Sequence, residues 1–279
     1  MREINIDELK KIEYDMLVDF AKFCDKNNLI YFLSSGTLLG AVRHHDFIPW
    51  DDDIDVMLPR KDYEKFVTSY KNKDYFVDDL LINNSCWGRC GKLKCRNTIL
   101  ESNLKENYKE KVFIDIFPID GICDNKLIQK IKLSIIQLFI NFHMSTITKC
   151  KPTKRYADKN AGILNWKTGV RTLLKYFLIL TIGNTRPQFW TRIINGWLKK
   201  TDFNSARYAG FFAGGYYGTK ELMPKKIFDK RIPMKFGKYD FWIPEEYDYY
   251  LTNLYGNYMK LPPIEKRQPH HAFKAYWLD

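Results

Sequence analysis

The chain has 279 residues, of which 45% are hydrophobic and 16% aromatic. This composition is typical of a packed globular core and argues against intrinsic disorder. Lysine and arginine outnumber aspartate and glutamate by 45 to 33, giving a formal net charge of +12. No nucleic-acid-binding motif accompanies this charge, so nucleic acid is not an expected partner.

Apolar periodicity predicts the first elements of the fold. An opening amphipathic helix is indicated by apolar residues at three- and four-residue spacing, namely Leu9, Ile12, Met16, Phe20 and Phe23. A further helix is expected to begin near residue 60, after Pro59. Short apolar runs predict strands at 29–34, 53–58, 75–82, 92–95 and 112–117. The pattern indicates an α/β fold of the α+β type, with a short mixed sheet and flanking helices.

Four carboxylates lie within the five consecutive positions 51–55, where the predicted strand at 53–58 begins. They are Asp51, Asp52, Asp53 and Asp55. If this strand begins at Asp53, the period-two alternation places Asp51, Asp53 and Asp55 on one face and turns Asp52 away. Two carboxylates on one face could share a Mg²⁺, which prefers oxygen ligands. Taken alone, such an Asp-x-Asp pair also fits a solvated turn or a helix cap.

A later acid and an earlier turn strengthen the metal interpretation. Asp115 interrupts the apolar run 112–117, where an unpaired buried carboxylate would be costly. Residues 32–40 are expected to form a strand, a tight turn and a helix start, whose backbone N–H groups suit a phosphate. The ordered set predicts metal-dependent transfer of a phosphate-containing group, because a cation must offset the charge of the donor and the transition state.

Basic side chains are needed to meet the phosphates of such a donor. Arg43 and Lys92 are the leading candidates, and Lys92, Lys94 and Arg96 alternate along one predicted strand face. Any one of them could equally be an ordinary solvated residue. Adjacent histidines at 44–45 and 270–271 cannot both aim at one ion from a regular strand, so a zinc site is not expected.

Segments 35–40, 48–55 and 113–118 resemble the LicD family, which includes fukutin and fukutin-related protein. So do Arg43 and, near the C-terminus, segments 255–259 and 261–263 and Lys266-Arg267 followed by His270. The resemblance implies a nucleotidyltransferase-like fold related to DNA polymerase β. It also implies an enzyme that moves a phospho-alcohol from a CDP-linked donor to a sugar hydroxyl and releases CMP.

The resemblance further assigns roles to residues of this chain. It implies that Asp53, Asp55 and Asp115 are the catalytic acids and bind Mg²⁺, or alternatively Mn²⁺, with Asp51 as a candidate for a supporting contact. The residues expected to contact the donor are Ser35, Gly36, Thr37, Arg43, Lys92, Lys94 and His270. For His270, a general-base role is an alternative to phosphate contact.

The expected donor is CDP-choline, and the expected acceptor is a lipid-linked or polymeric glycan, such as a teichoic acid or lipopolysaccharide precursor. Three alternatives stay open. The first is transfer of ribitol or glycerol phosphate by the same chemistry. The second is an Asp-x-Asp glycosyltransferase that uses a nucleotide sugar. The third is a non-catalytic scaffold at a membrane surface.

Charge divides the chain unevenly. Residues 1–123 hold 18 basic and 22 acidic side chains, whereas 124–279 hold 27 and 11. We therefore expect a catalytic core over 1–123, a helical, basic and apolar insert over 124–200, and a C-terminal segment over 201–279 that returns to the core. Basic residues interleaved with apolar runs favour contact with an anionic membrane surface, although the same helices could simply pack on the core.

The cellular location is predicted from the N-terminal sequence and from the spacing of the cysteines. The sequence opens without a secretory apolar region, and the spacing of Cys86, Cys90 and Cys95 does not match paired Cys-x-x-Cys knuckles. Reduced thiols are therefore expected. Together with the family resemblance, this predicts a cytoplasmic protein that is peripheral at the inner face of a bacterial plasma membrane.

The segment 239–258 is rich in aromatic residues. Such residues can enclose a quaternary ammonium group, but an aromatic face packed on the core explains the same pattern and is favoured. The residues are Tyr239, Phe241, Trp242, Tyr247, Tyr249, Tyr250, Tyr255 and Tyr258.

Overall fold

A computed structural model describes residues 1–101, 108, 110–148, 166–214, 217–267 and 274–278. The histidine pair at 270–271, and with it the predicted donor contact of His270, lies outside the described residues. Cysteines in the described part of the chain are free thiols: Cys24, Cys86, Cys90, Cys95 and Cys123.

Helices and a mixed sheet make up the fold of the described residues. The helices are α1 (Ile6–Lys26), α2 (Ser35–His44), α3 (Arg60–Ser69), α4 (Lys126–Ile147), α5 (Trp166–Thr181), α6 (Pro187–Leu198) and α7 (Tyr247–Tyr255). The side chain of Asn5 caps α1 by accepting a hydrogen bond from the Glu8 N–H at 2.9 Å. The apolar face of α1 is buried, as its periodicity predicts.

The strands are mostly short. They are β1 (Arg2–Ile4), β2 (Phe32–Leu33), β3 (Asp55–Pro59), β4 (Tyr75–Asp78), β5 (Gly91–Cys95), β6 (Thr98–Glu101), β7 (Phe113–Ile122), β8 (Tyr208–Gly210), β9 (Met223–Pro224), β10 (Arg231–Phe236), β11 (Tyr239–Pro244) and β12 (Lys274–Trp277). The main sheet has the order β2-β3-β7-β5-β4, and β8 joins β7 and carries β9. Only β3 and β7 pair in parallel among the strand pairs described, so the predicted mixed sheet is confirmed.

Two smaller sheets complete the fold. Strand β12 lies between β1 and β6. Through this sheet a segment near the C-terminus pairs with strands of the region 1–123. Strands β10 and β11 form a hairpin, with Gly237 in the turn at a φ of +62°. The aromatic residues Phe236, Tyr239 and Phe241 of this hairpin pack around Tyr14 of α1.

Several predicted strand limits are wrong. The strand predicted at 53–58 begins only at Asp55, and the one predicted at 75–82 ends at Asp78. The second ends early because the Asp79 carboxylate accepts the Leu81 N–H at 2.7 Å, which turns the chain. Strand β2 covers only two residues of the predicted 29–34.

Helices α4, α5 and α6 occupy the region where the sequence predicts helices, within the described residues. Helix α4 buries Ile136 and Ile140, and α6 buries Ile194 against the same core. The opposite surface is apolar as well: Leu127, Ile131 and Leu138 of α4 and Leu173, Phe177 and Leu180 of α5 are exposed. Among the residues described, no helix combines the length and apolar character that crossing a bilayer requires.

Candidate active site

Asp51, Asp52 and Asp53 lie together immediately before β3. One carboxylate oxygen from each is within 4.8 Å of the others. The Asp51 N–H donates to the carbonyl of Ile48 at 2.9 Å, so the chain turns here and does not extend. The prediction that Asp52 points away is therefore wrong, because strand alternation does not apply before Asp55; Asp52 is only 3% exposed and belongs to the group.

The N-terminal end of α2 is fitted against this group. A Cβ on Gly36 would lie 2.6 Å from Oδ2 of Asp51, so a side chain at this position would collide with the carboxylate. The hydroxyl of Thr37 accepts the Asp55 N–H at 2.9 Å. Partial positive charge at the helix start also favours a nearby carboxylate. Gly36 and Thr37 therefore position the aspartates, while the phosphate contacts predicted for them and for Ser35 stay predictions.

Asp55 and Asp115 stand beside the Asp51–Asp53 group. They are directly opposite each other in the parallel pairing of β3 with β7. Burial raises the pKa of Asp55 well above its ordinary value, and the charges of Asp53, Asp115 and Asp51 raise it further. The site thus concentrates negative charge at the edge where the predicted triad Asp53, Asp55 and Asp115 was expected.

Two more buried acids border the site, neither of them among the predicted residues. Glu13 on the inner face of α1 is 4% exposed; burial and the charges of Asp53 and Asp52 raise its pKa well above the ordinary value. Glu221 ends the 3₁₀ helix Gly218–Glu221 and is 6% exposed; burial raises its pKa to about 8. A signal for Glu13 was present in the sequence, because it falls on the apolar stripe of α1, whereas Glu221 has no local signature.

Two arginines from distant segments lie near each other, Arg43 in the last turn of α2 and Arg267 near the C-terminus. Arg43 donates from Nη1 to the carbonyl of Tyr258 at 2.8 Å. Burial lowers the pKa of Arg43, and the charge of Arg267 lowers it further, so the two guanidinium groups repel. Arg267 lies over the ring of Trp50, with 5.4 Å from Cζ to the ring centroid. Such a pair of guanidinium groups is suited to a bound phosphate.

Lys92 and Lys94 share one face of β5, as alternation predicts, but their surroundings differ. Lys92 Nζ lies 3.7 Å from Oδ1 of Asp115 and 3.3 Å from Oε2 of Glu110. Burial alone would lower the pKa of Lys92, but Asp115 and Glu110 raise it above its ordinary value. Lys94 is 5% exposed and its Nζ lies between Asp78, at 2.7 Å, and Glu110, at 2.5 Å. The structure therefore brings Lys92 to the predicted triad and buries Lys94 among other acids.

Aromatic residues of the C-terminal segment differ in burial. Tyr250 is 2% exposed with its hydroxyl 3.1 Å from that of Ser34, and Phe241 is buried as well, whereas Tyr239 and Tyr249 are exposed. The others are partly buried against the core, namely Trp242, Tyr247, Tyr255 and Tyr258. The Tyr255 hydroxyl lies 2.9 Å from that of Tyr217, and both rings are partly exposed. Burial raises the pKa of Tyr217 to about 12, to which the charge of Asp55 contributes.

Comparison with known proteins finds one matching family model and several similar sequences. Residues 28–134 match the family model described as LicD/FKTN/FKRP, nucleotidyltransferase domain. The chain is 30% identical over 287 aligned residues to the lipopolysaccharide cholinephosphotransferase LicD of Haemophilus influenzae, with both chains covered completely. It is 28% identical over 145 residues to an uncharacterized protein of Rickettsia typhi, covering 50% of this chain and 45% of the other. A shorter match, 34% over 85 residues, joins 28% of this chain to 7% of mannosyltransferase regulator 4 of Saccharomyces cerevisiae.

Proposed function

The chain belongs to the LicD family, and we propose that it transfers phosphocholine from CDP-choline to a sugar hydroxyl of a cell-surface glycan, with release of CMP. The observation that carries the proposal is the full-length similarity to the cholinephosphotransferase of Haemophilus influenzae. The grouped carboxylates and the two arginines support it, because a nucleotide diphosphate donor requires both cation-binding acids and basic groups.

The acids fit a divalent cation such as Mg²⁺, with Mn²⁺ as an alternative. The support is the donor set itself, since carboxylate oxygens of Asp51, Asp52 and Asp53 lie within 4.8 Å of one another and hard cations prefer oxygen ligands. These three would hold the ion together with Asp55 of β3 and Asp115 of β7, which lie opposite each other. When bound, it would neutralise charge on the transferring phosphoryl group.

The remaining chemistry falls to the side chains of the chain. Arg43 and Arg267 would bind the donor diphosphate and stabilise the charge that develops on departing CMP. The acceptor oxygen forms a bond to the distal phosphorus as the bond between that phosphorus and the CMP oxygen breaks. Asp115 orients the acceptor hydroxyl or accepts its proton. Lys92, within 3.7 Å of Asp115, would hold that carboxylate in place.

The proposal is tested by calorimetry in Mg²⁺ with CDP-choline, CDP-ribitol, CDP-glycerol and a UDP-sugar, followed by an assay of CMP release. We expect selective binding of CDP-choline, weakened in Asp53→Asn. Preference for another CDP-alcohol would replace choline within the same chemistry. Binding of the UDP-sugar alone would favour the glycosyltransferase, and binding of none would favour the scaffold.

The exposed apolar surface of α4 and α5 supports a further part of the proposal, association with an anionic membrane surface. Leu127 is 68% exposed, Leu173 70% and Leu180 77%. Residues 124–200 contain 15 Lys and Arg against two Asp. Apolar side chains that enter the headgroup region, combined with basic residues, are the features of interfacial binding.

Vesicle flotation tests the membrane association. Vesicles with anionic lipid should bind the protein, zwitterionic vesicles should bind it more weakly, and Leu173→Ser with Leu180→Ser should reduce binding. Equal recovery of the wild type and the double variant with both kinds of vesicle would contradict this part of the proposal.

A further inference from the structure

Glu221 is a buried carboxylate for which the described part of the chain supplies no basic partner. It is 6% exposed, and no lysine, arginine or histidine in that part forms an ion pair with it. Its charge acts on Asp55, so it lies near the acids of the site. Ionising such a buried carboxyl group without a countercharge is costly. Such a group is suited to a ligand that brings the missing positive charge.

Two aromatic rings come from elements that meet here, because the 3₁₀ helix ending at Glu221 contacts α7. Tyr217 precedes the 3₁₀ helix that ends at Glu221, and Tyr255 is the last residue of α7. Their ring centroids are 5.5 Å apart and their planes meet at 83°, so the two rings form a corner. Both rings are partly exposed, and the charge of Asp55 acts on both hydroxyl groups.

The 3₁₀ helix and α7 are tied together, which keeps this corner in place. Lys220 Nζ donates to the carbonyl of Leu254 at 3.0 Å. Asn253 Nδ2 donates to the carbonyl of Lys220 at 2.5 Å. Because these bonds flank Tyr255 on one element and Glu221 on the other, the aromatic rings and the carboxylate are positioned before any ligand arrives.

We infer that Tyr217, Tyr255 and Glu221 form a subsite for the trimethylammonium group of the donor, an inference that rests on the proposed function. A quaternary ammonium group has no hydrogen to donate, so a protein recognises it by aromatic faces and a nearby negative charge. Tyr217 and Tyr255 supply the faces and Glu221 the charge. A neutral alcohol such as ribitol or glycerol would leave Glu221 without a partner, and the subsite therefore selects the alcohol of the donor.

The test compares donors that differ only in the alcohol. Wild type and Glu221→Gln are titrated by calorimetry, in Mg²⁺, with CDP-choline, CDP-glycerol and CMP. We expect Glu221→Gln to weaken CDP-choline binding about thirtyfold, as when one partner of a desolvated charge pair is neutralised, and to leave CDP-glycerol and CMP binding unchanged. Equal weakening of all three ligands, or no change for CDP-choline, would overturn the subsite, because Glu221 would then act on the metal or on nothing in the donor.

Tyrosine variants separate the aromatic faces from the hydroxyl groups. Tyr217→Phe keeps the ring and should retain preference for CDP-choline over CDP-glycerol, whereas Tyr217→Leu should lose it. Tyr249→Leu is the matched control, since Tyr249 lies on the same helix as Tyr255 but is 47% exposed. Loss of preference in the Phe variant, or its survival in the Leu variant, would count against the subsite. A wild type without any preference for CDP-choline would instead refute the proposed function itself.

Discussion

Strand β7 carries two aspartates, five residues apart, whose surroundings are opposite. Asp120 is 1% exposed, and its two oxygens accept hydrogen bonds from Arg60 Nε and Nη2 at 2.7 and 2.6 Å. Asp115 faces Asp55 across the strand pair, and the ammonium group of Lys92 lies 3.7 Å from its Oδ1. An odd separation along a strand puts the two carboxylates on opposite faces. One face of β7 thus pairs its acid with a buried arginine, and the other places its acid beside the carboxylates of the candidate site.

Asp115→Asn should have the largest effect, and on turnover alone. Loss of a group that acts on the reacting atoms is expected to reduce CMP release by about a thousandfold. The folded state should keep a stability close to that of the wild type, because the repulsion between Asp115 and Asp55 is removed together with the attraction between Asp115 and Lys92. CMP release and thermal unfolding are measured on the same preparation. Activity close to that of the wild type would show that the two aspartates of β7 do not differ in the proposed way.

Asp120→Ala should instead lower the free energy of unfolding. It leaves the Arg60 guanidinium buried without its partner, at a cost of about 3 to 5 kcal/mol in the free energy of unfolding. Urea unfolding measures the loss. The control is Lys61→Ala, which removes an exposed ion pair with Asp202 at 2.9 Å and should cost less than about 1 kcal/mol. Similar losses in the two variants would contradict the stabilising role of the buried pair.

His143 on α4 should produce the smallest effect, visible only as a function of pH. Its Nε2 lies 2.7 Å from the carbonyl of Trp87, and burial, with the charge of Arg89, lowers its pKa to about 3. The unfolded chain, with a histidine pKa near 6.5, therefore binds more protons than the folded one between those values. Stability should be complete above about pH 6.5 and fall below it by at most about 1.4 kcal/mol per pH unit.

The measurement compares urea unfolding of the wild type and His143→Gln at pH 7, 6 and 5. The glutamine can keep a donor for the Trp87 carbonyl but does not titrate, so its free energy of unfolding should fall less steeply with acid. Parallel profiles for the two proteins would show that His143 does not supply the acid sensitivity.

Local patterns in the sequence predicted the elements that depend on local physics. The stripe from Leu9 to Phe23 predicted α1, because a helix buries residues at three- and four-residue spacing. The mixed sheet and the location of the acids next to β3 and β7 were also predicted. The alternation argument failed for Asp52, because it assumed a strand where the chain turns.

The site residues predicted from the sequence do not include two groups that are placed by long-range packing. Arg43 lies near Arg267, and Asp55 near Glu221, although more than 150 residues separate the members of each pair. Glu221 has no periodic or motif-like neighbourhood that indicates a site, whereas Arg267 lies in the C-terminal segment that resembles the LicD family but was not predicted to contact the donor. Strands β1 and β12, which pair with each other from opposite ends of the chain, were missed for the same reason.

The sequence by itself determined the helical stripe of α1, the mixed α/β character and the set of aspartates, since each depends on spacing along a few consecutive residues. Only the tertiary structure decided which charges are compensated. Asp120 has Arg60, Lys94 has Asp78 and Glu110, and Glu221 has no basic partner in the described residues. The physical reason is that burial and ion pairing depend on distances through space, which spacing along the chain does not specify.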